Sequence, residues 1–236
     1  MSDSVGDIWV RRIGPQRSTH GCFGGQKIPG LAPGMMETWK MNLLAVSEKH
    51  KVLVIAVLSK LFVYALDPFS AEIIKEERVK TIDLCNGGSE INNVRLVTCA
   101  EREFIVAVDF EAHVRMIYLD DLDKDPIKFT NTYPWAQDNS TWSVDGSSVP
   151  GEFPPRVVVG SNAHSLTIFN LETGESEKLP RAHGHNVPCV SFSPCGRFIA
   201  STSIDRSVKL WEKGPDDGKW QVMRMGIPDN DWGWAV

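Results

Sequence analysis

Short runs rich in Val, Ile, Phe and Tyr recur in pairs along this chain, and a tight polar or glycine-containing turn separates the two members of each pair. Such pairs are typical of antiparallel β-strands joined by hairpins. No long stretch shows the 3.6-residue apolar period of an amphipathic helix. The one helix candidate, Ala71–Lys80, could equally be an edge strand. The pattern therefore predicts an all-β chain. The clearest pairs read KVLVIAV with LFVYAL, EFIVAV with VRMIYL, RVVVGS with SLTIFN, and RFIAST with SVKLW.

The strand pairs repeat at a regular interval. An aromatic residue lies near the end of the second strand in each pair, at Tyr64, Tyr118, Phe169 and Trp211, with spacings of 54, 51 and 42 residues. A further strand candidate precedes each pair. A repeat of about 40–45 residues with three or four strands is typical of a β-propeller blade, which buries its faces by stacking on its neighbours.

This repeat divides the chain into predicted regions. Residues 1–36 are rich in Gly and Pro and are expected to form a flexible N-terminal arm. Blades are expected at approximately 37–90, 91–138, 139–180 and 181–228, with the start of another at 229–236.

The last complete unit carries the most specific pattern and reads HGHNVPCVSFSPCGRFIASTSIDRSVKLW, from His183 to Trp211. It closely resembles the WD repeat (WD40), in which a His precedes a strand–turn–strand of the form SFSPxGxxxAS and then SxDxxVxLW. The resemblance implies a WD40-like β-propeller. It also implies a buried hydrogen-bond network across the blade, made by His183, Ser203, Asp205 and Trp211.

Two departures from the WD pattern occur in this unit, since Ala182 stands where Gly usually precedes the His and Glu212 where Asp usually follows the Trp. The preceding unit is a degenerate copy. There Ser161 keeps the hydroxyl, but Ala163 replaces the acid and Phe169 has no N–H to donate. We therefore expect that blade to depend on apolar packing.

The order of motifs from Asn139 to Val236 also resembles a narrower group, the fungal WD-repeat-like proteins named for constitutive ribonucleotide reductase transcription. The resemblance implies control of ribonucleotide reductase gene transcription, exerted through other proteins in the nucleus and/or the cytoplasm. Members of that group are longer. The final DNDWGWAV is similar to the first strand of a further blade. About four blades plus one strand are thus expected, and they would form an incomplete ring whose open edge is a candidate for pairing with another strand.

The net charge of −5 and the pI of about 5.7 make the whole chain a poor electrostatic match for phosphate backbones, so no direct nucleic-acid partner is expected. The N-terminus lacks a basic region and an apolar run, so no secretory signal is predicted. The most apolar stretch, Val52–Leu66, is short and interrupted by Ser59 and Lys60, which argues against a membrane span.

The stretch RAHGHNVPC raises the question of a metal site, because His183, His185 and Cys189 are followed by Cys195. Zinc favours closely spaced ligand pairs on a turn, whereas here Cys189 lies in a predicted strand. No metal or cofactor is therefore predicted. His185 on its loop and His164 in a hairpin turn are candidate partner contacts.

An acidic motif has the spacing of a calcium loop, with Asp121, Asp123 and Asp125. An EF-hand would require Gly and Glu where Pro126 and Thr132 stand, so a solvated loop is the better interpretation. No nucleophile motif, P-loop or dinucleotide fingerprint is present. A non-catalytic protein-interaction scaffold is the function these observations favour.

Two other functions remain open at this stage. A substrate receptor of a cullin-type ubiquitin ligase would share the fold, although WEKG at Trp211–Gly214 lacks the Asp and Arg of the WDxR docking signature. A metal-dependent propeller enzyme would require acids or histidines repeated once per blade. The tryptophans near the starts of units are expected in the core, with exposed partner anchors as the alternative; these are Trp135, Trp142, Trp232 and Trp234.

Overall fold

A computed structural model shows the chain as two compact units, residues 1–90 and residues 91–236. Among the described residues, no helix has the length and apolar character needed to cross a membrane. Most of the predicted N-terminal arm lies outside the described residues, as does the predicted start of another blade at 229–236. The structure describes residues 22–23, 26–27, 40, 42–84, 88–99, 101–124, 132–133, 140–149, 153–179, 181–214 and 218–226.

The first unit contains one four-stranded antiparallel sheet, which we call blade A. Its strands pair in chain order. The segment Ala71–Lys80, which the sequence left open between helix and edge strand, is a strand. Its residues form most of the outermost strand of this sheet. A separate two-stranded sheet pairs β1 (Cys22–Phe23) with β2 (Gln26–Lys27). Blade A consists of β3 (Leu44–Ser47), β4 (Val52–Val57), β5 (Lys60–Leu66) and β6 (Ile73–Asp83).

The second unit contains three more antiparallel four-stranded sheets, each again paired in chain order. Blade B consists of β7 (Ile91–Cys99), β8 (Arg102–Asp109), β9 (Val114–Tyr118) and β10 (Thr132–Tyr133), with a 3-10 turn at Leu119–Asp121. Blade C consists of β11 (Thr141–Val149), β12 (Phe153–Ser161), β13 (Leu166–Asn170) and β14 (Ser176–Leu179). Blade D consists of β15 (Cys189–Phe192), β16 (Phe198–Thr202), β17 (Val208–Lys213) and β18 (Trp220–Gly226).

Apolar side chains on both faces of the second strands explain why these sheets stack. In blade C, Val157 and Val159 pack with residues of blade B, whereas Val158 packs with residues of blade D. Because successive side chains of a strand point to opposite faces, a continuous run of valines supplies both interfaces. As predicted, Phe169 contributes to blade C by apolar packing, within the core shared with blade B.

Strand register shows which residues occupy equivalent positions in the three blades of the second unit. In the second and third strands, Ile199 pairs with Trp211 and Val157 pairs with Phe169. The same position in blade B pairs Ile105 with Ile117. Ile117, and not the neighbouring Tyr118, is therefore the structural counterpart of Trp211, because the aromatic residue of that blade is displaced by one position along its strand.

The hairpin between the second and third strands is the same five-residue turn in blades B, C and D. It spans Asp109–His113, Ser161–Ser165 and Ser203–Ser207, and the first N–H donates to the fifth carbonyl over 3.1–3.3 Å. The fourth residue has a positive φ in each, at Ala112, His164 and Arg206. The turn therefore presents its fourth residue in the same left-handed conformation in every blade.

Polar contacts reinforce the junctions between neighbouring blades of the second unit. Asp145 Oδ2 accepts a hydrogen bond from the backbone N–H of Phe192 over 2.7 Å. Ser143 Oγ donates to the carbonyl of Val187 over 2.9 Å. Between blades B and C, Asn92 Nδ2 donates to the carbonyl of Thr141 over 2.7 Å. These bonds satisfy polar groups that blade stacking removes from water.

One face of blade D differs from its counterparts in blades B and C. Met116 in blade B and Ile168 in blade C are each 4% exposed, because the following blade covers them. The residue at the same register position in blade D is Leu210, which is 37% exposed. Within the described residues of the second unit, no blade lies against this second face of blade D.

Candidate functional site

The polar network of blade D begins at His183, which lies just before the first strand and is 4% exposed. Its Nε2 lies 2.8 Å from Ser201 Oγ, and its Nδ1 lies 2.8 Å from Ser207 Oγ. The indole Nε1 of Trp211 donates to the same Ser201 Oγ over 2.8 Å, and Ser207 Oγ donates to Asp205 Oδ1 over 2.6 Å. The five side chains form one continuous chain of hydrogen bonds.

The hydrogen bonds of this network run in a single consistent direction of proton donation. Trp211 donates to Ser201, and Ser201 in turn donates to Nε2 of His183. The proton of His183 then sits on Nδ1 and is donated to Ser207, which donates to Asp205. Every donor finds an acceptor only if the imidazole is neutral, so the geometry itself selects the Nδ1–H tautomer.

The prediction that Ser203 is the network hydroxyl is wrong. Ser203 Oγ instead donates to the carbonyl of His185 over 3.1 Å, outside the His183–Trp211 path. Ser201 fills that role because, two residues before the turn, it points to the same face of the sheet as Trp211. Ser207 also enters the network, between His183 and Asp205, whose nearest carboxylate oxygen is 3.6 Å from Nδ1.

The electrostatics of the network agree with a neutral imidazole. Burial lowers the pKa of His183 to about 4, and this outweighs the attraction of Asp205 for a protonated ring. Burial opposes ionisation of Asp205, but hydrogen bonds from Ser207 Oγ and from the backbone N–H groups of Gly184 and Ser207 lower its pKa to about 2. At neutral pH the network therefore holds a neutral His183 and a carboxylate at Asp205.

The two candidate partner contacts lie together, although they come from different blades. His164 in the turn of blade C and His185 before blade D stack, with ring centroids 5.6 Å apart and ring planes 21° from parallel. The backbone N–H of His183 donates to the carbonyl of His164 over 3.1 Å, which joins the two segments. His185 is exposed and His164 is half-buried.

The residues considered as metal ligands are not brought together. His183 is occupied by its two serine contacts, Cys189 is a buried free thiol and Cys195 is an exposed free thiol in the β15–β16 turn. No group of three or more His, Cys, Asp and Glu side chains suited to a metal ion occurs among the described residues. In the acidic motif, Asp121 contacts Lys124 Nζ over 2.7 Å, while Asp125 lies outside the described residues.

Of the tryptophans considered as partner anchors, the structure describes one. Trp142 is half-buried and makes an edge contact with Phe110 of blade B, with centroids 5.7 Å apart. Its position at a blade junction fits the packing interpretation. Trp135, Trp232 and Trp234 lie outside the described residues.

Blade B has a polar network of its own that sequence reasoning missed. Asp109 is buried at the first position of its turn, where blade D has Ser203. Its carboxylate accepts from Arg115 Nη1 over 2.6 Å and lies 3.2 Å from Nδ1 of His113. The spacing DFEAHVR contains the signal, because Asp, His and Arg at positions one, five and seven of a hairpin return to the same end of the sheet.

A second missed feature is the buried guanidinium of Arg156, which is 2% exposed at the junction of blades C and D. Its Nη2 donates to the carbonyl of Gly196 over 2.5 Å. The guanidinium carbon, Cζ, lies 4.7 Å from the ring centroid of Phe153 and 5.4 Å from the ring centroids of Phe192 and Trp220. Burial lowers the pKa of Arg156. Aromatic faces thus supply much of its electrostatic environment.

Comparison with known proteins agrees with this architecture. Residues 176–212 match the family model of the WD domain, G-beta repeat. The chain contains a WD40 repeat. The matched residues cover the last strand of blade C and most of blade D, which includes the complete His183 network.

Longer similarities extend over most of the chain. A WD40 repeat-containing protein of Dictyostelium discoideum is 32% identical over 201 residues, which are 84% of this chain and 27% of the relative. An uncharacterized WD repeat-containing protein of Schizosaccharomyces pombe is 22% identical over 202 residues, or 74% of this chain and 39% of the relative. The WD40 chain thus spans between about a quarter and two fifths of these curated relatives.

Solved structures confirm the predicted fold class. A chain of the mitotic checkpoint complex superposes with a TM-score of 0.60 at 14% identity, covering 84% of this chain and 55% of that one. The β-propeller domain of Cps50 (Swd1) from Myceliophthora thermophila gives 0.56 at 14% identity, with coverages of 77% and 57%. The WD40 chain therefore has the predicted all-β propeller fold, built from four-stranded blades.

Proposed function

We propose that this WD40-repeat chain acts as a non-catalytic protein-interaction scaffold. The proposal rests on the environment of the serine, histidine and aspartate side chains in blade D. Serine, histidine and aspartate side chains adjoin in blade D as they do in a hydrolase, but Ser201 Oγ and both nitrogens of His183 are buried and hydrogen-bonded within the blade. A nucleophile needs substrate access and a base with a raised proton affinity, and this network offers neither.

The surface proposed to contact partners is the loop end of blades C and D around His164 and His185. These loops rest on rigid sheets, which is the arrangement that favours recognition by loops. Affinity capture from the source cells with a tagged chain tests the proposal. We expect a partner that is retained by the unaltered chain and lost by the His164→Ser/His185→Ser variant.

The matched control for that capture is Glu172→Ser, an exposed change in the loop at the opposite end of blade C. Equal recovery of every captured protein by all three chains would overturn the proposed surface. Metal analysis of the purified chain tests the alternative of a metal-dependent propeller enzyme. A stoichiometric transition metal that survives dialysis would favour that alternative.

For the finer role, we propose regulation of ribonucleotide reductase gene transcription, in the nucleus and/or the cytoplasm. The support is the resemblance in the order of motifs from Asn139 to Val236, together with a net charge of −5 that suits action through proteins better than direct base reading. Deleting the gene in its source organism should change ribonucleotide reductase transcript levels. Unchanged transcripts, with and without DNA damage, would reject this role.

The alternative finer role is that of a substrate receptor on a cullin-type ubiquitin ligase. The residues after Trp211 weaken it, because Glu212 pairs with Arg197 of its own blade and is thereby engaged. The same capture experiment separates the two roles. Recovery of a cullin and its adaptor would favour the receptor.

We also propose that the uncovered face of blade D receives another WD40 blade. The equivalent faces of blades B and C are each covered in this way, at Met116 and Ile168. The sequence of residues 229–236 resembles the start of such a blade. A version of the protein extended to the length of its relatives should protect the amides of β17 from hydrogen exchange more strongly than the present chain.

A further inference from the structure

Four side chains at the loop end of blades C and D form a surface that the sheets hold in place, and we call it the imidazole surface: His164, Arg181, His185 and Arg206. His164 and Arg206 occupy the same left-handed position of their respective turns, with φ of 60° and 69°. Arg181, His185 and Arg206 are exposed, and His164 is half-buried. The surface draws on three chain segments from two blades.

Hydrogen bonds lock these three segments to one another. The N–H of His183 donates to the carbonyl of His164 over 3.1 Å. The N–H of Gly184 donates to Asp205 Oδ2 over 2.6 Å, and Ser203 Oγ donates to the carbonyl of His185 over 3.1 Å. A surface that is already ordered loses little conformational entropy when a partner binds.

The charge of this end of the blades is opposite to that of the chain as a whole. The three segments and the adjoining start of β17 carry three cations, Arg181, Arg206 and Lys209, and one anion, Asp205. Lys209 Nζ donates to the carbonyl of Ala182 over 2.5 Å, and this places its charge beside the same segment. The local sum is therefore +2, whereas the chain carries −5.

Among the described residues, the other charges near this end do not alter that sign. On β14, which precedes Arg181, Lys178 and Glu177 contribute one charge of each sign. The carboxylate of Asp205 already accepts hydrogen bonds from the backbone N–H groups of Gly184 and Ser207. Because screening at physiological salt acts over about 8 Å, a bound partner responds to these local charges more than to the net charge of the chain.

The stacked imidazole of His185 adds a hydrogen-bond donor to this surface. Nδ1 of His185 accepts from the backbone N–H of Asn186 over 2.8 Å, so the neutral ring carries its proton on Nε2. An Nε2–H group of this kind donates well to a carboxylate oxygen.

We infer that the imidazole surface binds an acidic segment of a partner protein, an extended stretch rich in Asp and Glu. This inference rests on the proposed scaffold function and assigns the chemistry of the partner that the scaffold holds. Carboxylates meet the guanidinium groups of Arg181 and Arg206 and the Nε2–H of His185.

The test is direct binding of fluorescein-labelled octaglutamate to the purified chain, followed by fluorescence anisotropy at pH 7.5. We expect the His164→Asn/His185→Asn variant to bind the peptide about threefold to tenfold more weakly, because it loses the imidazole donor. Arg206→Gln should weaken binding by about as much, because it removes a cation that pairs with a carboxylate.

The matched control is Arg197→Gln, which removes an exposed cation at the opposite end of the same blade and should leave peptide affinity unchanged. Circular dichroism checks that all variants stay folded. Equal affinity of the unaltered chain and the histidine variant would overturn the inference, as would equal losses from Arg197→Gln and Arg206→Gln.

Two competitors define the class of ligand. Inorganic phosphate at millimolar concentration should displace the peptide only weakly, because it engages one cation pair where the peptide engages several. Tighter binding of single-stranded RNA than of octaglutamate would overturn the acidic-protein inference. A partner captured through His164 and His185 that lacks an acidic segment would overturn it too, while leaving the proposed scaffold function intact.

Discussion

Trp211 and His183 share one hydroxyl group, because the indole Nε1 and the imidazole Nε2 each lie 2.8 Å from Ser201 Oγ. The indole comes from the third strand of blade D, the hydroxyl from its second strand, and the imidazole from the segment that enters the blade. This relationship ties three separate pieces of chain at a point without water access. The contribution of blade D to stability should therefore depend on Ser201 more than on any other small side chain in it.

Ser201→Ala tests that dependence. We expect a loss of about 1–3 kcal/mol in the free energy of unfolding, because a buried indole N–H and a buried imidazole nitrogen lose their partner. Urea denaturation followed by tryptophan fluorescence measures it. A change smaller than a few tenths of a kcal/mol would contradict the network.

Blade C supplies the control for that substitution, because the register positions of Ser201 and Trp211 hold Val159 and Phe169 there. Ser201→Val/Trp211→Phe should therefore cost less than the sum of the two single changes, since donor and acceptor are removed together. Additive losses would indicate that the two side chains are not coupled.

The pH dependence of stability should show the buried imidazole of His183. Its pKa of about 4 in the folded chain lies below the usual 6.5, so the unfolded chain binds more protons between these values. Stability therefore falls as the pH drops, by about 2 kcal/mol between pH 7.5 and pH 5. Urea melts of the unaltered chain and of His183→Gln measure the difference, and the variant should lack this part of the slope. Parallel slopes would argue against a neutral buried imidazole.

Gly160 is expected to be irreplaceable at the junction of blades C and D. A Cβ at this position would lie 2.5 Å from Ser143 Oγ and 2.6 Å from the carbonyl oxygen of Val187. Gly160→Ala should cost about 2–3 kcal/mol, because backbone of the next blade must move. Thermal or urea unfolding measures the loss.

Gly174 is the matched comparison for Gly160. It has a φ of 73° and open space where a Cβ would go. Gly174→Ala should therefore cost about 1 kcal/mol from backbone conformation alone. A larger loss at Gly174 than at Gly160 would contradict the close blade contact.

Equivalent positions on blades C and D should respond differently to charge. Ile168→Asp places an unpaired carboxylate in the interface between these blades and should abolish cooperative unfolding of the second unit. Leu210→Asp, at the same register position in blade D, should change the stability of this chain by no more than about 0.5 kcal/mol. In a protein extended by another blade, Leu210→Asp should become as damaging as Ile168→Asp, and equal tolerance of both changes would contradict the blade alignment.

Strand pairs and turns could be read from the sequence because they depend on local chemistry. Runs of branched apolar residues bounded by turn residues adopt extended structure wherever they lie, and each predicted pair appears as neighbouring strands. The loops between third and fourth strands were harder to foresee. Asp67–Glu72 and Asn170–Glu175 form the same six-residue loop, closed at 2.8 and 2.9 Å, although their sequences share little.

These loops also show why an exposed aromatic residue cannot be recognised from the sequence. Phe69 is 97% exposed, and Asp67 Oδ1 accepts hydrogen bonds from the N–H groups of Phe69 and Ser70 that hold its loop. Those bonds lower the pKa of Asp67. The same place in the loop of blade C holds Glu172, so the loop itself does not require an aromatic residue. In the sequence, Phe69 is indistinguishable from a core residue.

By itself, the sequence determined that the chain is built from repeated units of three or four strands and that the last unit carries a WD40 pattern, because alternation, turn residues and spacing act over a few residues at a time. Only the tertiary structure decided that Ser201 and not Ser203 serves His183, since this depends on which hydroxyl the folded blade brings within hydrogen-bond distance of the imidazole and the indole. It also decided that His164 and His185, 21 residues apart, stack at one junction. Such choices are made when one blade packs on the next, because packing brings together groups that no local pattern relates.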